Sequence, residues 1–199
     1  MINLLQLLDP QALLRVPYKR DFTPDTELRK QITRYFSEFL GQRPKAIEPL
    51  LPDVMPSFGK LRIEDGDSIR SASASGISSS AERDMSFVRV YEWQTQISYG
   101  QLERVVDCLL PKDKTLGRVS GKRRLLAIIH PCKNTRGKDA SLERTGYTEL
   151  ANILVTDLQS VVAVVGRVKT RGKWLIVDRT GGLIHPQFVQ DEEADTDSL

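Results

Sequence analysis

Apolar positions follow two rhythms along this chain. Over residues 24–40, Leu28, Ile32, Tyr35, Phe36, Phe39 and Leu40 recur at helical spacing and line one stripe of an amphipathic helix. Thr23 stands where a cap is wanted, Pro24 at the first helical position, Asp25 and Glu27 at the positive end, and Gly41 at the stop. From Phe87 onward the rhythm shortens to that of strands: Phe87, Val88, Val90, Tyr91 and Trp93, then Ile97, Tyr99, Leu102, Val105 and Val106. Leu125 to Ile129 is a continuous apolar run, which predicts a strand buried on both faces. Val161 to Val165 and Trp174 to Val177 flank a basic turn and predict a hairpin tipped by Thr170, Arg171, Gly172 and Lys173.

The intervening segments are less regular. Pro44, Pro49, Pro52 and Pro56 restrict the chain after the helix to single turns. Leu61 and Ile63 alternate before Asp65-Gly66, a tight-turn pair, which predicts a short hairpin within Lys60 to Ile69. Ser71 to Ala81 is small and polar, unable to bury enough surface to offset its chain entropy, and reads as a linker. Leu150, Ile153, Leu154 and Leu158 recur at helical spacing and suggest one more helix over Thr148 to Leu158. The opening MINLLQLLDPQALL is apolar, but it lacks a basic n-region and is broken at Asp9-Pro10, so it reads as a packed or interaction helix rather than a signal peptide.

These elements predict an α+β protein. Residues 1–70 form an N-terminal helical segment with a short hairpin, and 71–84 a flexible Ser-rich linker. Residues 85–189 form a small curled β-sheet or partly open barrel, and 190–199 an acidic disordered tail.

The 199 residues suffice for one good core or two small ones. No run approaches the ~18 apolar residues that a bilayer span needs, so no membrane partner is expected. Two cysteines, Cys108 and Cys132, predict reduced thiols and an intracellular location, nuclear or cytoplasmic. The net charge of +3 hides an uneven distribution. Residues 1–99 carry 13 basic and 13 acidic side chains, residues 100–189 carry 16 and 8, and residues 190–199 carry 5 acidic ones. A positive module followed by an acidic tail suggests an anionic partner.

Arg167 and Lys169 lie two apart on a strand and project from one face, while Arg171 and Lys173 carry the charge around the turn beside Trp174. A basic hairpin with an indole can hold phosphates and stack a base. Lys122, Arg123 and Arg124, with Lys133, Arg136 and Lys138, could widen the patch. The alternative is a solvated basic face with Trp174 in the core.

Catalytic patterns are missing. GRVSGKRR at Gly117 to Arg124 fails the phosphate-loop spacing, and Arg123 replaces the hydroxyl residue that would hold magnesium. Cys108, His130, Cys132 and His185 are scattered, without the paired spacing of a zinc site. No enzyme, cofactor or metal is therefore expected.

The succession DFTPDTELRK, FSEFLGQRPKAIEPLLPD, DSIRSASAS, YGQLERVV and VVGRVKTRGKWLIVDR, spanning Asp21 to Val189, resembles the C-terminal region of proteins repeated in mushroom-forming fungi (basidiomycetes) and associated with CACTA-type (En/Spm-like) transposable elements. Ser86 to Ser98 is shorter than that pattern. The resemblance implies a transposon-derived fragment without a transposase core. The expected function is nucleic-acid binding through the basic β-module, with DNA as partner. The alternative is a protein-interaction module that docks onto another chain such as a transposase core.

Overall fold

The computed structural model describes residues 12–63, 68–74, 84–92, 96–134, 140–141 and 145–179. Twelve strands and two helices follow in the order β1 (Ala12–Phe22), α1 (Thr26–Leu40), α2 (Pro44–Ile47), β2 (Met55–Ile63), β3 (Ser68–Arg70), β4 (Phe87–Glu92), β5 (Gln96–Leu109), β6 (Arg123–Lys133), β7 (Gly146–Tyr147), β8 (Glu149–Leu150), β9 (Leu154–Asp157), β10 (Val161–Val164), β11 (Gly166–Thr170) and β12 (Lys173–Val177). The chain is mostly β-sheet with a few short helices, and the sheet is a large antiparallel one with no closed barrel. The sheet is thus larger than the small curled sheet or partly open barrel expected from the sequence. The described residues up to Arg70 do not form a mainly helical segment either: beside α1 and α2 they contribute two long strands, β1 and β2.

β5 is the spine of this sheet. One edge pairs with β6 along residues 100–109, while the other meets β4 along 96–101 and β2 at Val105 and Val106. β1 and β10 end the path β1-β2-β5-β4-β10, β3 adds to β2, and β8 and β9 add to β6. Strands from both sides of residues 71–84 thus share one sheet, so this segment joins two parts of one structure rather than two separate cores. Its described start is folded: Ser71 is buried, and its N–H donates to the Gly59 carbonyl at 2.8 Å. Residues 75–83 lie outside the described residues, as do Trp93, the turn at Asp65-Gly66, the first eleven residues and the acidic tail. The one described part of the expected N-terminal helix, Ala12 to Leu14, is strand.

Three apolar clusters fill the molecule. On one face of the sheet, Leu14, Leu61, Ile69, Val88, Leu102, Val105, Ala127, Ile129 and Val161 are buried together. β2 and β4 follow one another along the same edge of β5, so β1 and β10 each stand two strand positions from β5 on that side. On the other face α1 lays Leu28, Ile32 and Phe36 against Val106, Cys108, Leu126 and Ile128. The alternation of β6 between the two clusters explains why Leu125 to Ile129 is apolar throughout. A third cluster, Phe87, Tyr99, Cys132, Tyr147, Val165 and Ile176, lies beneath a second, three-stranded sheet of β11, β12 and β7.

The helix α1 ends at Gly41, with φ of 63°, as expected. Its cap is Asp25 rather than Thr23: the Asp25 carboxylate accepts the Leu28 N–H at 2.8 Å, so Pro24 lies outside the helix. The helix expected over Thr148 to Leu158 is absent. Leu154 to Asp157 pairs instead with Leu126 to Ile129 of β6, and Asp157 caps a short 3-10 turn by accepting the Gln159 N–H.

Candidate nucleic-acid interface

The predicted basic hairpin exists, although Val161 to Val164 is not part of it: this strand belongs to the large sheet, and the partner of β12 is β11. Arg171 and Gly172 make a two-residue loop with φ of 44° and 76°, the positive values a type I′ turn requires. Lys169 stands opposite Trp174, and Arg167 opposite Ile176, so these four side chains share one face of the hairpin. That face is turned inward, since Ile176 is buried and Trp174 packs against the third cluster.

Arg167 is therefore a structural cation. Its guanidinium lies 4.2 Å from the ring centroids of both Phe87 and Trp174, donates to the Tyr147 hydroxyl at 3.1 Å and pairs with Asp84 at 2.9 Å. The Trp174 ring that was expected to stack a base carries this guanidinium. Burial pushes the Tyr147 hydroxyl above its ordinary pKa, and the Arg167 hydrogen bond acts in the opposite direction. Lys169, Arg171 and Lys173 are exposed and make no ion pair among the described residues. Lys169 Nζ lies 5.7 Å from the Trp174 ring centroid.

The Lys122 to Arg124 group does not extend this patch. It starts β6, whereas the hairpin packs beside Cys132, eight residues along from Arg124 and thus roughly 26 Å away at strand rise. Arg123 pairs at 2.9 Å with the buried Asp107. Arg124 pairs with Asp157 at 3.1 Å and lies 4.9 Å from the Phe39 ring centroid. Tyr35 donates its hydroxyl to the same Asp157 carboxylate, and burial, with the Asp157 charge next, raises its pKa. Only Lys122 of the three is an exposed cation without an ion pair among the described residues. Lys133 ends β6, and Arg136 and Lys138 lie outside the described residues.

Asp107 is unusual because its Oδ1 is buried without a hydrogen-bond partner. Burial raises its pKa despite the Arg123 charge. Among the described residues, no three His, Cys, Asp or Glu side chains come together to hold a metal. Cys108 and Cys132 are buried thiols in different clusters, and burial pushes Cys108 up to about 12. His130 Nδ1 lies 3.0 Å from the Ala151 carbonyl, and His185 is outside the described residues. No described helix is long and apolar enough to cross a membrane.

A different set of cations comes together at β1, β2 and β3. Leu14, Leu61 and Ile69 face inward, and the alternate positions are cations: Arg15 and Arg62 are exposed, Lys60 is half-buried, and Arg70 is half-buried with its Nε buried. In register, Arg15 stands opposite Lys60, which stands opposite Arg70. Sequence reasoning missed this row. Its trace was the alternation Lys60-Leu61-Arg62-Ile63, but nothing in the sequence places Arg15 or Arg70 beside it.

No family model matches the chain, and no curated protein or solved structure matches it.

Proposed function

We propose that this chain is a non-catalytic nucleic-acid-binding protein whose hairpin tip holds phosphates through Lys169, Arg171 and Lys173. The observation carrying this reading is that these three cations are exposed around a type I′ turn, without an ion pair among the described residues. Trp174 and Arg167 brace the tip from inside rather than contacting the ligand. A transposable-element origin rests on the sequence resemblance alone, and DNA is then the natural partner.

A second reading, docking onto another protein, is supported by the outer face of the same hairpin. Val168 and Val177 there are 49% and 42% exposed, with Leu175 opposite Val168.

Fluorescence anisotropy with labelled duplex and single-stranded DNA separates the two. Lys169→Ala/Arg171→Ala/Lys173→Ala should lower the slope of log K against log salt by about 2.7 on duplex DNA, three phosphate contacts fewer. An unchanged slope in a folded variant rejects the tip as a DNA contact.

A further inference from the structure

We propose a second nucleic-acid contact on the outer face of β1 and β2, where Arg15, Lys60 and Arg62 grip the phosphate backbone of a duplex. This surface is separate from the hairpin tip and does not depend on it.

The first argument is the register. Arg15, Lys60 and Arg70 stand in one cross-strand row, and like charges directly opposite are unfavourable in a sheet. A fold that needed only solubility would intersperse acids here, yet Arg15, Lys60 and Arg62 make no ion pair among the described residues. Protection of an edge strand explains only part of the row. Cations on β1 could blunt an edge, but β2 is flanked by β1 and β3 along this stretch, so Lys60 and Arg62 guard no edge.

Charge complementarity points to a polymer. Arg15 and Lys60 stand one strand spacing apart, roughly 5 Å, and Arg62 stands about 7 Å from Lys60 along the strand. Cations set out along a face in this way suit phosphates repeated along a backbone. Arg predominates, and its planar fork takes phosphate oxygens two at a time. The three are cations without a stacking ring of their own, so contact with backbone rather than base is expected of them.

The test uses the full chain with Arg15→Gln/Lys60→Gln/Arg62→Gln, which keeps most of each side chain's bulk while removing three charges. On duplex DNA the slope of log K against log salt should fall by about 2.7, and affinity at about 50 mM salt by at least roughly tenfold. The melting temperature without DNA should stay level or rise, because repulsion across the strands is relieved. A fall in melting temperature would mean that the charges are neutralised within the chain, Glu64, Asp65 and Asp67 of the β2–β3 connection being nearest in sequence, and would overturn the proposal. An unchanged slope overturns it too, as does a loss seen only with vesicles of anionic lipid. If misfolding intervenes, Arg15→Glu/Arg62→Glu, confined to exposed positions, gives the same readout. A slope lost here but not in the hairpin-tip variant leaves this inference standing and removes the tip; the converse removes this one.

Discussion

The hairpin β11–β12 and the sheet β1–β2–β3 are both antiparallel, both basic and both built on alternation, yet their cations have different fates. In the hairpin the alternating cation Arg167 points inward and is consumed by two rings, a hydroxyl and a carboxylate. In β1 and β2 the alternating cations Arg15, Lys60 and Arg62 are exposed or half-buried, and they have no counter-charge among the described residues. Charge summed over a stretch of sequence therefore misplaces the active cations: residues 1–99 balance 13 bases against 13 acids, and still carry this row. What matters is which face the alternation assigns to charge, and what stands across the strand.

Substitutions can break this contrast. The largest effect is expected at Arg167. Arg167→Ala should cost about 3 kcal/mol in urea unfolding, from two cation–π contacts and stranded polar partners, and Arg167→Lys should restore only part because it lacks the planar fork. A cost below about 0.5 kcal/mol would return Arg167 to the surface and erase the difference.

Gly59→Ala comes next. A Cβ there would stand 2.5 Å from Ala74 Cβ and 2.8 Å from Pro17 Cγ, so overpacking should cost about 2 kcal/mol by the same assay. This substitution tests whether the residues after β3 truly pack on β2.

Asp107→Asn gives a smaller effect with a defined pH dependence. The folded-state pKa of Asp107 is raised from its ordinary 3.8, so folding favours the protonated acid. Stability is fullest below the ordinary value and declines as pH rises through the folded one. The asparagine variant should therefore gain in melting temperature relative to the parent over the pH window that opens at the ordinary value of 3.8 and runs upward. A widening loss over that window would mean that the Arg123 pair outweighs burial. Smallest of all, Arg62→Gln should change unfolding free energy by less than about 0.5 kcal/mol, as an exposed cation without partners should.

Local features were the legible part of this fold. The apolar stripe from Leu28 to Leu40 with Gly41 beyond it specifies α1, and Arg171-Gly172 between two apolar runs specifies the hairpin. The start of α1 was displaced because Asp25, not Thr23, reaches the Leu28 N–H. What failed was non-local. Leu150, Ile153, Leu154 and Leu158 satisfy a helical period, but β6 offers Leu126 to Ile129 as a pairing edge, and β-branched Val155 and Thr156 fit it. The Ser-rich stretch looked like a division because sequence cannot show β2 and β5 joining across it. For the candidate site, the exposed tip was legible from spacing. The inward commitment of Arg167 and Trp174 required Phe87, Tyr147 and Asp84, distant in sequence and adjacent in space.

The most direct test of the account is an NMR titration of the full 22.5 kDa chain with a short duplex DNA, following backbone amides and arginine side chains. The account predicts shifts at Arg15, Lys60 and Arg62 and at Lys169 to Lys173, with the Arg123, Arg124 and Arg167 guanidinium signals unmoved. Shifts centred on Arg123, Arg124 and Arg167, or none at low salt, would contradict it.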